Sequence, residues 1–125
     1  MNSKLVLTAT AVLIGFFGAA WLFVPAVLGN FWAVAPGDNF TYMGHRDGAL
    51  LLGLAVTAWL ARNAPNTQAR RALMIGSLVA LALTTALSLY GAVALDLNTW
   101  MPTVGEGALV VGLVWVLFIK PEPVV

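Results

Sequence analysis

The chain has no cysteine, a single histidine and very little charge: its 125 residues carry six Lys or Arg and five Asp or Glu, 9% in all. Each scarcity removes a class of function. Without Cys there is no disulfide framework, no Fe–S cluster and no thiolate metal site. With His45 the one imidazole, a protein-only transition-metal centre lacks ligands. The scattered Ser and Thr hydroxyls have no base partner of the Ser-His-Asp kind. A net charge of +1 offers no basic stripe to displace counterions from a phosphate backbone, so no nucleic acid is expected as a partner. Gly44-x-x-x-Gly48 and the glycines flanking Glu106 form neither a Walker motif nor a dinucleotide fingerprint. The residues therefore point to no enzyme, no cofactor and no metal.

What the chain has is apolar surface: 61% hydrophobic residues and a mean hydropathy of +0.92, where a soluble domain is about a quarter charged. This composition belongs to an integral membrane protein, with the lipid bilayer as its first partner. A spanning helix needs roughly 20 mostly apolar residues, and residues 5–24, 42–61, 72–95 and 100–119 qualify or nearly do. The expected fold is all-α, a four-transmembrane-helix bundle forming one integral membrane domain over residues 1–125. Pro25 ends the first helix, and Ala26–Val34, too short to span, reads as an interfacial segment. Pro36-Gly37-Asp38-Asn39 marks a turn, Arg62–Arg71 a polar connection, Asp96–Thr99 a tight loop, and Pro121-Glu122-Pro123 a stop after the last helix. Ala33-Val34-Ala35 resembles a signal-cleavage site, but the preceding run is longer than a signal core and Pro36 follows the cut.

Short loops rich in Lys and Arg stay cytoplasmic. Lys4, Arg62, Arg70, Arg71 and Lys120 fall on one side of a four-pass arrangement, and Asp38 and Asp96 on the other, so both termini are expected to be cytoplasmic. Trp21, Trp32, Tyr42, Tyr90 and Trp100 then mark the outer interface, and Trp59 and Trp115 the inner one.

Glu106 stands in the middle of the last apolar segment, where a lone carboxylate costs several kcal/mol unless compensated. The nearest compensator in depth is Arg46, within His45-Arg46-Asp47. Arg46 lies about 24 Å above Arg62 and Glu106 about 21 Å above Lys120, at 1.5 Å per residue. An Arg46–Glu106 intramembrane ion pair would satisfy both charges. Two uses follow: fixing helix register, or forming an outer-leaflet pocket in which His45, Arg46, Asp47 and Glu106 bind a ligand. A single axial ligand role for His45, to a haem or pigment, is the remaining cofactor option.

Small residues at Gly15, Gly44, Gly48, Gly76, Ala80 and Gly112 are expected at helix-packing contacts, because close backbone approach drives association in lipid. The stripe is longest between Ala72 and Ala92, with Gly76, Ala80, Thr84 and Ser88 at four-residue spacing.

Phe23-Val24-Pro25 at the end of the first helix, the run Arg46-Asp47-Gly48-Ala49-Leu50-Leu51-Leu52-Gly53-Leu54, and Glu106 together resemble the small four-helix bacterial inner-membrane proteins grouped as DoxX-like. The resemblance spans most of the chain. Gly48-Ala49 departs from the Gly pair that members carry after the arginine. What the resemblance implies is a four-helix fold in a bacterial inner membrane; it brings no chemistry with it. The functional expectation is a non-catalytic accessory or structural subunit, packing against other membrane subunits or itself. The alternative is a binder or transporter of an apolar or anionic small molecule, using the pocket around Arg46 and Glu106.

Overall fold

The computed structural model describes residues 2–35 and 37–123; Pro36, read above as part of a turn, lies outside them. The described residues are all-α: α1 Ser3–Phe23, α2 Pro25–Phe31, α3 Asp38–Ala61, α4 Gln68–Ala94 and α5 Trp100–Val114, the last continuing as a π-helical turn Trp115–Ile119. Three stretches are long and apolar enough to cross a membrane: α1, α4, and α5 with its π turn. At 24 residues α3 is also long enough, but Asp38, His45, Arg46 and Asp47 leave only its second half continuously apolar.

Local chemistry sets the boundaries. Asn2 caps α1 by accepting the Leu5 N–H at 2.9 Å, and Thr67 caps α4 by accepting from Arg70 N–H at 3.3 Å. Pro25 occupies the first turn of α2, where its missing N–H costs nothing. The segment read as interfacial thus contains about two helical turns, closed by a Schellman arrangement: Ala33 at φ 61, with Val34 N–H donating to Gly29 O at 2.8 Å and Ala33 N–H to Asn30 O at 3.2 Å. Pro102 falls in the first turn of α5, again where no intrahelical donor is needed. At the far end Lys120 N–H reaches back five residues to Trp115 O at 2.8 Å, and Arg71 donates to the Leu117 carbonyl of this widened turn at 3.4 Å.

α1 and α3 form one close pair and α4 and α5 the other. The first depends on glycine: a Cβ on Gly18 would come within 2.8 Å of Leu52 N, and one on Gly48 would overlap Leu22 N, so neither backbone could approach with a side chain there. Beside these two pairs, α1 meets α5 and α3 meets α4 only lightly, and α3 and α5 lie diagonally across the bundle. The core occupies one end. Leu7 and Ile14 of α1, Met74 and Leu81 of α4, and Leu113 of α5 are almost fully enclosed, with Ala55 and Ala58 of α3 completing the layer.

That packed end is latched. Ser3 donates from N–H and Oγ–H to the Glu122 carboxylate at 2.9 and 2.6 Å, and Asn66 donates to the Glu122 and Pro123 carbonyls at 2.7 and 3.0 Å. Arg70, 5% exposed, donates to Ala61 O and Ser3 Oγ at 2.9 Å each and pairs with Glu122 at 3.5 Å. The hydroxyl and N–H of Ser3, more than the Arg70 charge, hold the Glu122 carboxyl below its ordinary pKa. The start of α1, the loop before α4 and the segment after α5 are thereby joined at one end of the bundle.

Candidate functional site

One turn beyond the core the helices part. Above Ile14, Ala55, Leu81 and Leu109 a cavity of about 840 Å³ opens, walled by Phe17 and Trp21 of α1, Asp47, Leu51 and Leu54 of α3, and Ala80, Thr84 and Ser88 of α4, with Glu106 of α5. Trp32, Thr99 and the loop residue Leu97 roof it. The opening exists because α3 and α4 hardly touch; Leu50 and Leu87, which flank it, are 66% and 69% exposed. The small residues of α4 explain part of this. Ala80, Thr84 and Ser88 line the cavity, so this part of the stripe leaves space between helices instead of closing it, while Gly76 is exposed and faces nothing within 4 Å. Gly15, Gly44 and Gly48 do pack, all in the α1–α3 pair and the turn above it, and Gly112 is buried in α5.

Glu106 is 9% exposed, and its Oε2 has no hydrogen-bond partner. Thr84 donates to Leu81 O on its own helix at 3.1 Å and lies within hydrogen-bonding reach of the Glu106 carboxyl. Trp32, 8% exposed, likewise keeps its indole N–H unpartnered. A buried donor and a buried acceptor without partners are each costly, about 1–3 kcal/mol, and here both belong to the wall of one cavity. Trp32 packs on Trp21 with ring centroids 4.9 Å apart, and Trp21 on Phe40 at 5.6 Å. Trp21 and Trp32, expected from the sequence at the outer interface, both line the cavity.

The expected Arg46–Glu106 pair does not form. Among the described residues the one ion pair is Arg70–Glu122, and Arg46 is exposed on α3 outside the cavity lining. The depth estimate placed both residues at one level, but α3 and α5 are diagonal, with α1 and α4 between them. Asp47, not Arg46, is the member of its triplet that reaches the cavity. His45 is exposed and donates through Nδ1 to the Leu22 carbonyl, one of the last of α1. It closes a helix end, which fixes the tautomer. No group of three or more His, Asp or Glu suited to a metal ion occurs among the described residues.

Sequence reasoning found Glu106 and Asp47 but missed Trp32, Thr84, Ser88 and Thr99. Only Thr84 and Ser88 left a signal, being polar positions four apart on an apolar helix. No protein-family model matches the chain, and no curated protein or solved structure is similar to it at a significant level. The functional reading therefore rests on the cavity.

Proposed function

We propose that the chain is a non-catalytic membrane protein that binds a small molecule between α3 and α4. The observation that carries this is the coincidence of an 840 Å³ cavity with two unpartnered buried polar groups, Glu106 Oε2 and Trp32 Nε1. Ligand pockets span about 300–1,000 Å³, mostly apolar with a few converging polar groups, and this cavity has that constitution. A lipid tail would fill the apolar walls but leave both polar groups unmet.

The four-pass arrangement with both termini cytoplasmic goes with this reading. Ser3 bonds Glu122, Arg70 and Arg71 lie at the same end, and a bacterial inner membrane is what the DoxX-like resemblance adds. Because the chain lacks Cys, single cysteines at Asn63 and Asn98 report sidedness directly: impermeant maleimide should label Asn98→Cys from outside intact cells and Asn63→Cys only after lysis. The accessory-subunit reading has less support, since Gly15, Gly18, Gly44 and Gly48 of α1 and α3 are used inside the chain, and Gly53 and Gly76 are the helical glycines that meet nothing within 4 Å among those described.

The deciding experiment is native mass spectrometry of protein extracted in mild detergent. The wild type should retain a small molecule that Ala80→Trp, which fills the cavity, does not. Retention by neither, or equally by both, contradicts the proposal.

A further inference from the structure

The charges around the cavity are one-sided. Its lining holds two carboxylates, Asp47 and Glu106, and no Lys, Arg or His. The nearest basic groups are turned away: Arg46 is exposed outside the lining, and the His45 ring is engaged with Leu22 O. Arg70, Arg71 and Arg62 are tied to carbonyls or to Glu122 at the opposite end of the bundle. At the cavity end Asp38, Asp47, Asp96 and Glu106 thus face a single arginine. A cleft of one charge sign between low-dielectric walls concentrates ligands of the other sign.

The walls match the same ligand. Phe17, Trp21, Trp32 and Tyr90 contribute aromatic surface, and aromatic faces attract cations most strongly where water is excluded. An anion would have to share a bilayer cavity with two acids and no counter-charge. A neutral apolar molecule would leave Glu106 Oε2 as orphaned as before. Exposed Leu50 and Leu87 flank the seam between α3 and α4, so a molecule dissolved in the outer half of the bilayer reaches Glu106 sideways, past Asp47.

We propose that the cavity is a site for a hydrophobic organic cation, bound with Glu106 as its buried counter-ion, Asp47 at the mouth and the tryptophans against its apolar body. This rests on the small-molecule reading above and names its ligand class; it replaces the apolar or anionic ligand that the sequence suggested.

The test compares tetraphenylphosphonium with neutral triphenylphosphine oxide, binding to the full chain in maltoside micelles and read by tryptophan quenching and calorimetry. The cation should bind saturably at one site and at least ten times more tightly than the oxide. Glu106→Gln should weaken the cation by about tenfold or more while leaving the oxide unchanged, as expected for loss of a charge-assisted contact. Equal binding of both probes, abolished by Ala80→Trp, overturns the cation assignment and leaves the small-molecule cavity standing. Saturable binding of neither overturns both. Should Glu106→Gln fail to fold, Asp47→Asn on the exposed side of α3 decides: a severalfold loss confined to the cation supports the proposal, and no change refutes it.

Discussion

Replacing Glu106 by Leu should make the ligand-free protein more stable while removing what it binds. Glu106 is nine-tenths buried in the middle of α5, and its Oε2 has no partner. An unsatisfied buried polar group costs about 1–3 kcal/mol, and a charged one at the centre of a spanning helix about 2.5–3.5 kcal/mol on insertion scales. Leu has similar length and adds no donor or acceptor, and the open cavity beside it absorbs the change of shape, so overpacking is small. The expected gain is therefore about 1–3 kcal/mol, measured by reversible unfolding in mixed micelles followed by circular dichroism without added ligand. The same variant should retain no small molecule on extraction. A loss of stability instead of a gain would mean that Glu106 holds the helices together, and the reasoning from its orphaned oxygen would be wrong. Sites that keep such groups trade stability for function.

Three further outcomes follow from the same geometry. A double-mutant cycle of Arg46→Met and Glu106→Gln should show a coupling below about 0.5 kcal/mol, because the two side chains share no partner; coupling above about 1 kcal/mol would restore the pair. Ala33→Gly should stabilise by about 1 kcal/mol, since Ala33 adopts a left-handed conformation at φ 61 that glycine adopts freely; unchanged or lower thermal stability would count against that strain. The Glu122 carboxyl is held below its ordinary pKa by Ser3, so its contribution is complete above the unfolded value near pH 4.3 and is lost as pH falls through the folded value. Stability should therefore drop below about pH 4.3 in the wild type, and the drop should shrink in Glu122→Gln.

How much of this was written in the sequence depends on which coordinate is asked for. Apolar length gave the helices, and the boundaries moved outward by one turn, to Asp38 and Gln68, because Asp38 suits a helix start and Thr67 supplies a cap. Counting residues along each helix put Arg46 and Glu106 at one level. Azimuth was not legible, since 1.5 Å per residue says nothing about which helix stands next to which. The close pairing of α1 with α3 was signalled by Gly15, Gly44 and Gly48, yet an equally regular stripe on α4 lines a cavity, because small residues permit approach without requiring it. The Ser3–Arg70–Glu122 latch and the π turn had no sequence signature, both being products of tertiary contacts between segments far apart along the chain.

The latch also orders events in time. Ser3 and Arg70 are made early, and α1, α3 and α4 can have left the ribosome while their acceptor at residue 122 is still inside it. Until α5 has been inserted and Glu122 delivered, Ser3 and the guanidinium of Arg70 lack that shared carboxylate, and the packed end of the bundle stays unsealed. A chain stopped after α4 would thus carry an exposed mark of incompleteness at the very end where its first residues lie, the kind of unfinished surface by which cellular quality control tells a partial product from a finished one.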